Sequence, residues 1–215
     1  MNEIEAKQVV CDAGRRLLKE GLVARTWGNI SARVDGNTFV ITPSGRTYEE
    51  LTTDDIVTVT IEDLSYNSHI KPSSEKGLHA EIYKLRPDVN AVVHTHQMNA
   101  STVASAREDV PTVDKETEAL IGPSVRVADY ALPGTSKLAK KTAECLTDRN
   151  AALMANHGAV CVGPDMDTAF TISTILERMC EQYIQSMYMM MAHDSGPFDI
   201  TRMHRYYLAQ FGRGV

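Results

Sequence analysis

Two histidines one residue apart, His94 and His96, stand at the end of the short apolar run Ala91-Val92-Val93. On a strand, alternate side chains share a face, so both imidazoles point the same way and can hold one divalent cation. An isolated H-x-H pair is equally a polar strand end with two unrelated histidines. A third histidine shifts the balance. His157, in Asn156-His157-Gly158, follows a second apolar run, Ala151 to Ala155, and the glycine is read as letting the chain turn there. Only the fold can bring His157 to the other two. Three imidazoles plus an open or carboxylate-filled position is how catalytic zinc sites are built. The other histidines fit less well. His69 and His193 lie among polar turn residues, His204 lies in a basic tail segment, and His79 lies in a helical stretch where a satisfied structural role, or one supporting the ligands from behind, suits it better.

A second chemistry is written in Lys71-Pro72-Ser73-Ser74-Glu75. Serines ahead of a helix are ordinary N-caps. A helix N-terminus also offers free N–H groups and partial positive charge, and two hydroxyls added to it suit a phosphate monoester. The turns Trp27-Gly28-Asn29 and Thr42-Pro43-Ser44-Gly45 supply the same small donors. Each is also a plain turn. Glu75 is read as lying in the first helical turn, where a carboxylate is favourable in any case.

These residues need a scaffold. Apolar spacing predicts helices over 3–20, 75–86, 97–106, 135–147 and 166–191, and a last short helix in the tail after Phe198. Strands are expected on either side of Asp35-Gly36, over 56–61, at 91–93, at Arg126-Val127, and as a pair bent at Asn156-His157-Gly158. The methionines Met187, Met189, Met190 and Met191 recur at helical spacing and read as packing or a subunit contact rather than a soft-metal box. With no internal repeat and no Pro/Gly/Ser-rich linker, residues 1–215 are expected to form a single domain.

Composition bounds the partners. Hydrophobic residues make up 43% and charged residues 23%, ordinary globular values that exclude wholesale disorder. The net charge of −6, without a Lys/Arg stripe, argues against a nucleic-acid or anionic-membrane partner. Cys11, Cys145, Cys161 and Cys180 form no C-x-x-C pair, and the first residues are acidic rather than basic. Four reduced thiols in a cytoplasmic protein are the expectation.

Taken in order and at their spacing, Gly28-Asn29-Ile30-Ser31, Thr42-Pro43-Ser44-Gly45, Pro72-Ser73-Ser74-Glu75, Val92-Val93-His94-Thr95-His96 and Asn156-His157-Gly158 resemble the class II aldolase/adducin superfamily. Within it the bacterial L-fuculose-1-phosphate aldolases are most similar. The resemblance implies an α/β fold, a three-layer α/β/α sandwich around a mostly antiparallel sheet. It implies a zinc-dependent aldehyde-lyase that cleaves a ketose 1-phosphate, such as L-fuculose 1-phosphate, to dihydroxyacetone phosphate and an aldehyde. By this likeness His94, His96 and His157 match the metal ligands. Glu75 matches the carboxylate that ligates the resting metal and then acts as acid/base. Asn29, Ser44, Gly45, Ser73 and Ser74 match the phosphate-binding set, with Thr26 a weaker member. The zinc ion, one per chain, is implied by the family and by availability rather than by spacing, which other divalent transition metals also suit. A homotetramer with sites at subunit interfaces is implied as well.

Related activities share parts of this pattern. Sugar-phosphate 4-epimerases of the superfamily carry Asp where Glu75 stands, which favours the aldolase branch. Methylthioribulose-1-phosphate dehydratases share the three histidines, and aldolases acting on 5-deoxyribulose 1-phosphate or its methylthio analogue are also similar. Adducin-like members lack the histidines; a silent metal-binding scaffold would have no use for Glu75 beside them. One departure concerns the aldehyde end. Lys115 falls where the fuculose-phosphate enzymes carry a tyrosine reaching into a neighbouring subunit, and Tyr206 and Tyr207 lie upstream of the position that matches their tail tyrosine.

Overall fold

A capping box starts the first helix, α1 (Glu3–Lys19): the Asn2 side chain accepts the Glu5 N–H, and the Glu5 carboxylate accepts the Asn2 N–H. The computed structural model describes residues 1–22 and 27–212. After α1 come the hairpin strands β1 (Asn29–Arg33) and β2 (Thr38–Ile41), then β3 (Val57–Thr60), α2 (Lys76–Leu85), β4 (Ala91–Thr95) and α3 (Met98–Ala106). The second half contains β5 (Val110–Pro111), α4 (Lys115–Ile121), β6 (Ser124–Ala128), α5 (Ser136–Cys145), β7 (Ala151–Met154), β8 (Gly158–Gly163), α6 (Met166–Met191) and α7 (Ile200–Phe211).

Among the described residues the strands form one sheet in the order β3-β2-β1-β4-β8-β7-β6-β5. Every neighbouring pair is antiparallel except β6 with β7. Period-two alternation sends successive side chains to opposite faces. On one face Val92, Val160 and Val162 pack with Leu78 and Ile82 of α2 and Leu138 of α5. On the other, Ile30 and Val93 pack with Val10 and Leu17 of α1, while Leu153 and Cys161 pack with Val103 of α3 and Ile172 and Leu176 of α6. Helices therefore cover both faces, and the fold is the three-layer α/β/α sandwich with a mostly antiparallel sheet. Each fully buried aliphatic side chain in these cores contributes about 1.5–3 kcal/mol.

Two elements escape the sequence pattern. β5 is two residues long, and α4 is a polar seven-residue helix with only Ile121 buried, too short for a periodicity. Glu75 also sits one step earlier than read. It is the N-cap of α2 and makes no capping hydrogen bond, because its side chain turns elsewhere. No described helix is long and apolar enough to cross a membrane. All four cysteines are free thiols, three of them buried.

Candidate metal centre and its cavity

β4 and β8 are paired so that His94 lies opposite Val160, on the face that α2 covers. On its other side β4 pairs with β1, and there Asn29 lies opposite His94. The start of α2 crosses over this point and brings Glu75 down onto it. His96 continues the His94 face just past the strand end. His157 enters from the β7–β8 turn.

The turn itself differs from the sequence reading. Asn156 adopts the left-handed conformation (φ 56°), a role Asn tolerates, and Gly158 does not. Gly158 is required for another reason. A Cβ built there would lie 2.3 Å from the Thr95 carbonyl oxygen and 3.4 Å from His94 Cε1. The missing side chain lets β8 close against the end of β4 and brings His157 to the pair.

His94 Nε2 is 3.1 Å from His96 Nε2 and 3.2 Å from His157 Nε2. Glu75 Oε2 is 3.2 Å from His94 Nε2, and Glu75 Oε1 is 3.3 Å from His157 Nε2. Donor atoms in a tetrahedral shell with bonds of about 2.0–2.1 Å stand about 3.3–3.4 Å apart, so these four side chains have the spacing of a zinc-sized site. His94 Nδ1 donates to the Ala159 carbonyl oxygen at 2.8 Å, which leaves Nε2 as the atom that faces the centre. Glu75 Oε1 is buried and, among the described residues, has no hydrogen-bond donor. A cation at the centre would satisfy it.

The electrostatics agree with a cation site. Burial raises the Glu75 carboxyl, but the facing His94 and hydrogen bonds from His94 and Asn29 outweigh it and hold the group well below the usual carboxylate range. Burial, reinforced by the neighbouring imidazoles, pushes His96 down to about 3 and lowers His157 as well. Burial alone would lower His94, but the facing Glu75 carboxylate raises it, so the centre favours a positive charge between these groups, which a divalent cation would supply in place of the His94 proton.

Above the four side chains opens a cavity of about 470 Å³. Its wall holds Asn29, Ser44, Gly45, Ser73 and Ser74, so the fold brings the expected phosphate set together beside Glu75, His96 and His157. Two turns far apart in sequence meet because Ser44 N–H donates to the Lys71 carbonyl at 2.9 Å and Ser73 N–H donates to the Thr42 carbonyl at 3.1 Å. Tyr48 OH, bonded to the Gly28 carbonyl at 2.7 Å, ties the third turn to them. The members differ in what they offer. The hydroxyls of Ser44 and Ser74 are exposed and make no hydrogen bond among the described residues, whereas the Ser73 hydroxyl accepts the Glu75 N–H at 3.2 Å. The Asn29 amide is directed at Glu75 Oε2, 2.9 Å away. Thr26 lies outside the described residues.

Pro133 and Asn156 also line the cavity without having been singled out in the sequence. The turn before the Thr135 N-cap of α5 was the available signal for Pro133, and the neighbouring His157 was the signal for Asn156. Lys115 is exposed at the start of α4 and does not line the cavity of its own chain. Tyr206 and Tyr207 pack on Tyr188 of α6, with ring centroids 5.7 and 6.4 Å away, and are likewise absent from the cavity wall.

Known proteins share this architecture. The family model described as class II aldolase and adducin N-terminal domain matches residues 8–184. The chain is 36% identical over 174 residues to the 5-deoxy-D-ribulose 1-phosphate aldolase of Bacillus thuringiensis serovar kurstaki, covering 80% of this chain and 81% of that protein. It is 31% identical over 182 residues to the L-fuculose phosphate aldolase of Escherichia coli strain K12, covering 85% and 83%. A solved L-fuculose 1-phosphate aldolase superposes with a TM-score of 0.79 at 30% identity, over 94% of this chain and 93% of that one. The chain belongs to the class II aldolase and adducin family.

Proposed function

We propose that this chain is a metal-dependent aldolase that cleaves a ketose 1-phosphate between C3 and C4, giving dihydroxyacetone phosphate and an aldehyde. The observation carrying this reading is the convergence of three imidazole nitrogens and the Glu75 carboxylate within 3.1–3.3 Å contacts, beneath a cavity walled by small hydroxyl and backbone donors. His94, His96 and His157 would hold the cation, with Glu75 as the exchangeable fourth ligand, and zinc is the proposed metal. When bound, the cation supplies Lewis-acid stabilisation of the negative charge that builds on the substrate oxygens as the carbon–carbon bond breaks.

The residues of the chain do the rest. In the synthetic direction the Glu75 carboxylate removes a proton from C3 of dihydroxyacetone phosphate, leaving an enediolate. That carbon attacks the carbonyl carbon of the aldehyde, and the aldehyde oxygen takes up a proton. Cleavage runs the same steps backwards, with Glu75 returning the proton to C3. Asn29 holds one Glu75 oxygen while the other faces His157, so the carboxylate is oriented at the centre before substrate arrives. Ser44, Gly45, Ser73 and Ser74 bind the phosphate, with Asn29 at the inner edge of that set, and the remote binding energy positions the reacting carbons. No lysine Schiff base is needed.

The relatives named above act, by their names, on 5-deoxyribulose 1-phosphate and fuculose phosphate, both sugars ending in a methyl carbon. Trp27 borders the cavity here, its ring centroid 5.9 Å from that of His96, and supplies an apolar wall suited to such an end. A homotetramer completing the site from a neighbouring subunit belongs to the same proposal, supported by the absence of Lys115 and the tail tyrosines from their own chain's cavity. So do a single domain over residues 1–215, supported by the one eight-stranded sheet that draws strands from both halves of the chain, and a place in the cytoplasm, supported by the free thiols. The test is a retro-aldol screen of the zinc-loaded protein against ketose 1-phosphates, with release of dihydroxyacetone phosphate as readout. Turnover of a methyl-terminated substrate supports the reading. No release from any member of the panel would overturn it.

A further inference from the structure

Glu75, His79 and Tyr83 recur every four residues along α2 and so share one face of the helix. Asn29 and Ser31, two residues apart, share the facing side of β1. The two sets interlock. Asn29 Nδ2 is 2.9 Å from Glu75 Oε2, His79 Nε2 is 2.5 Å from Asn29 Oδ1, Ser31 Oγ is 2.6 Å from His79 Nδ1, and Tyr83 OH is 2.7 Å from Ser31 Oγ. All five side chains are buried, and His79 is 0% exposed.

Chemistry gives this chain one direction. An ionised carboxylate only accepts, so the amide of Asn29 must present its NH₂ to Glu75 and its oxygen to His79. His79 must then carry its proton on Nε2, leaving Nδ1 to accept from the Ser31 hydroxyl, which in turn accepts from Tyr83. Were His79 protonated on Nδ1 alone, Asn29 Oδ1 would face a lone pair. An amide flip that cured this would set its oxygen against the carboxylate. Among the described residues no other side chain bonds Asn29 Oδ1, so the amide is fixed from two sides, by the Glu75 carboxylate at its NH₂ and by the His79 Nε2–H at its oxygen.

We propose that His79 is a positioning residue for Glu75: by donating from Nε2 to Asn29 it locks the amide as a donor and holds the carboxylate in its reactive orientation. The inference rests on the reading of Glu75 as acid/base, and it gives this interior histidine a task beyond packing.

The direct measurement is the ¹⁵N spectrum of the histidine rings in the unmutated protein. His79 should show the neutral Nε2–H tautomer; an Nδ1–H tautomer overturns the proposal whatever Glu75 does. The second measurement is exchange of the C3 proton of dihydroxyacetone phosphate with solvent deuterium. At saturating substrate, His79→Leu should slow exchange about 10- to 100-fold, the range for losing a partner that orients a reactive side chain, with KM little changed. His79→Gln, which keeps a donor near the same place, should recover most of the rate. In an Asn29→Ala background His79→Leu should cost nothing further, because both act through one bond. Independent, multiplying losses, or an unaffected rate in His79→Leu while Glu75→Gln abolishes exchange, would overturn the proposal. Normal exchange in Glu75→Gln would instead overturn the acid/base reading and leave the tautomer result standing.

Discussion

Gly158 and Thr95 lie so close that a methyl group on Gly158 would stand 2.3 Å from the Thr95 carbonyl oxygen. The contact closes β8 onto the end of β4, and it aligns His157 with His94 and His96. A backbone oxygen cannot swing aside as a side chain can. Gly158→Ala should therefore cost about 1–3 kcal/mol of stability, the range for overpacking a dense interior. It should also separate the histidines. Urea unfolding and metal content of the variant check both effects; a stable variant with full metal content would contradict this role.

The metal assignment makes its own forecast. A ligand that binds only the folded state stabilises it by mass action. Added zinc should raise the melting temperature of the metal-free protein. The His94→Ala/His96→Ala double variant should show no such rise and should hold no stoichiometric metal on elemental analysis. Retained stoichiometric metal in that variant would place the cation elsewhere.

The anion site can be probed without turnover. Ser44 and Ser74 present hydroxyls free of other hydrogen bonds among the described residues, whereas the Ser73 hydroxyl is committed to the start of α2. A hydrogen bond to a charged group contributes about 1.5–3 kcal/mol, so Ser44→Ala or Ser74→Ala should weaken binding of phosphoglycolate by about tenfold or more. Metal content should not change. Isothermal titration of zinc-loaded wild type and variants measures this, and equal affinities would remove those hydroxyls from the site.

Acid sensitivity should trace in part to His79. Burial, with the neighbouring His94 charge adding to it, pushes His79 down to about 3 from its ordinary 6.5. Between those values the unfolded chain takes up a proton that the folded protein refuses. Stability from this group is thus intact above pH 6.5 and drains away as the pH falls toward 3. From pH 7 to pH 5 the loss amounts to about 2 kcal/mol. Urea unfolding of metal-free His79→Gln at both pH values should show a drop smaller by roughly that amount than in wild type. An identical drop would mean that His79 titrates normally in the folded protein.

Much of the site was legible because its residues carry distinctive chemistry on elements with clear periodicity. The H-x-H pair ends an apolar strand, and the apolar stripe over about 166–191 marks the helix that the structure shows as α6. What stayed hidden depends on contacts between distant segments. Gly158 looked like a turn residue because sequence cannot show the Thr95 carbonyl pressed against it. Glu75 looked like a first-turn carboxylate because nothing local tells that it forgoes capping to face three imidazoles. The sequence alone groups Asn29 with the phosphate donors, since its bonds to Glu75 and His79 require α2 to lie across β1. The four-residue spacing of Glu75, His79 and Tyr83 was visible throughout, but it acquires meaning only opposite Asn29 and Ser31.

The central claim is that Glu75 moves the proton while the histidines hold the metal. Glu75→Gln separates the two, since Gln keeps the size and a ligating oxygen but cannot carry the proton. The measurement is zinc content together with exchange of the C3 proton of dihydroxyacetone phosphate into deuterated solvent, which isolates proton transfer from the aldehyde step. The variant should retain zinc and lose exchange by at least the ~10²–10⁴-fold that a general acid/base contributes. Exchange near the wild-type rate with zinc in place would contradict the account and assign the proton to another residue.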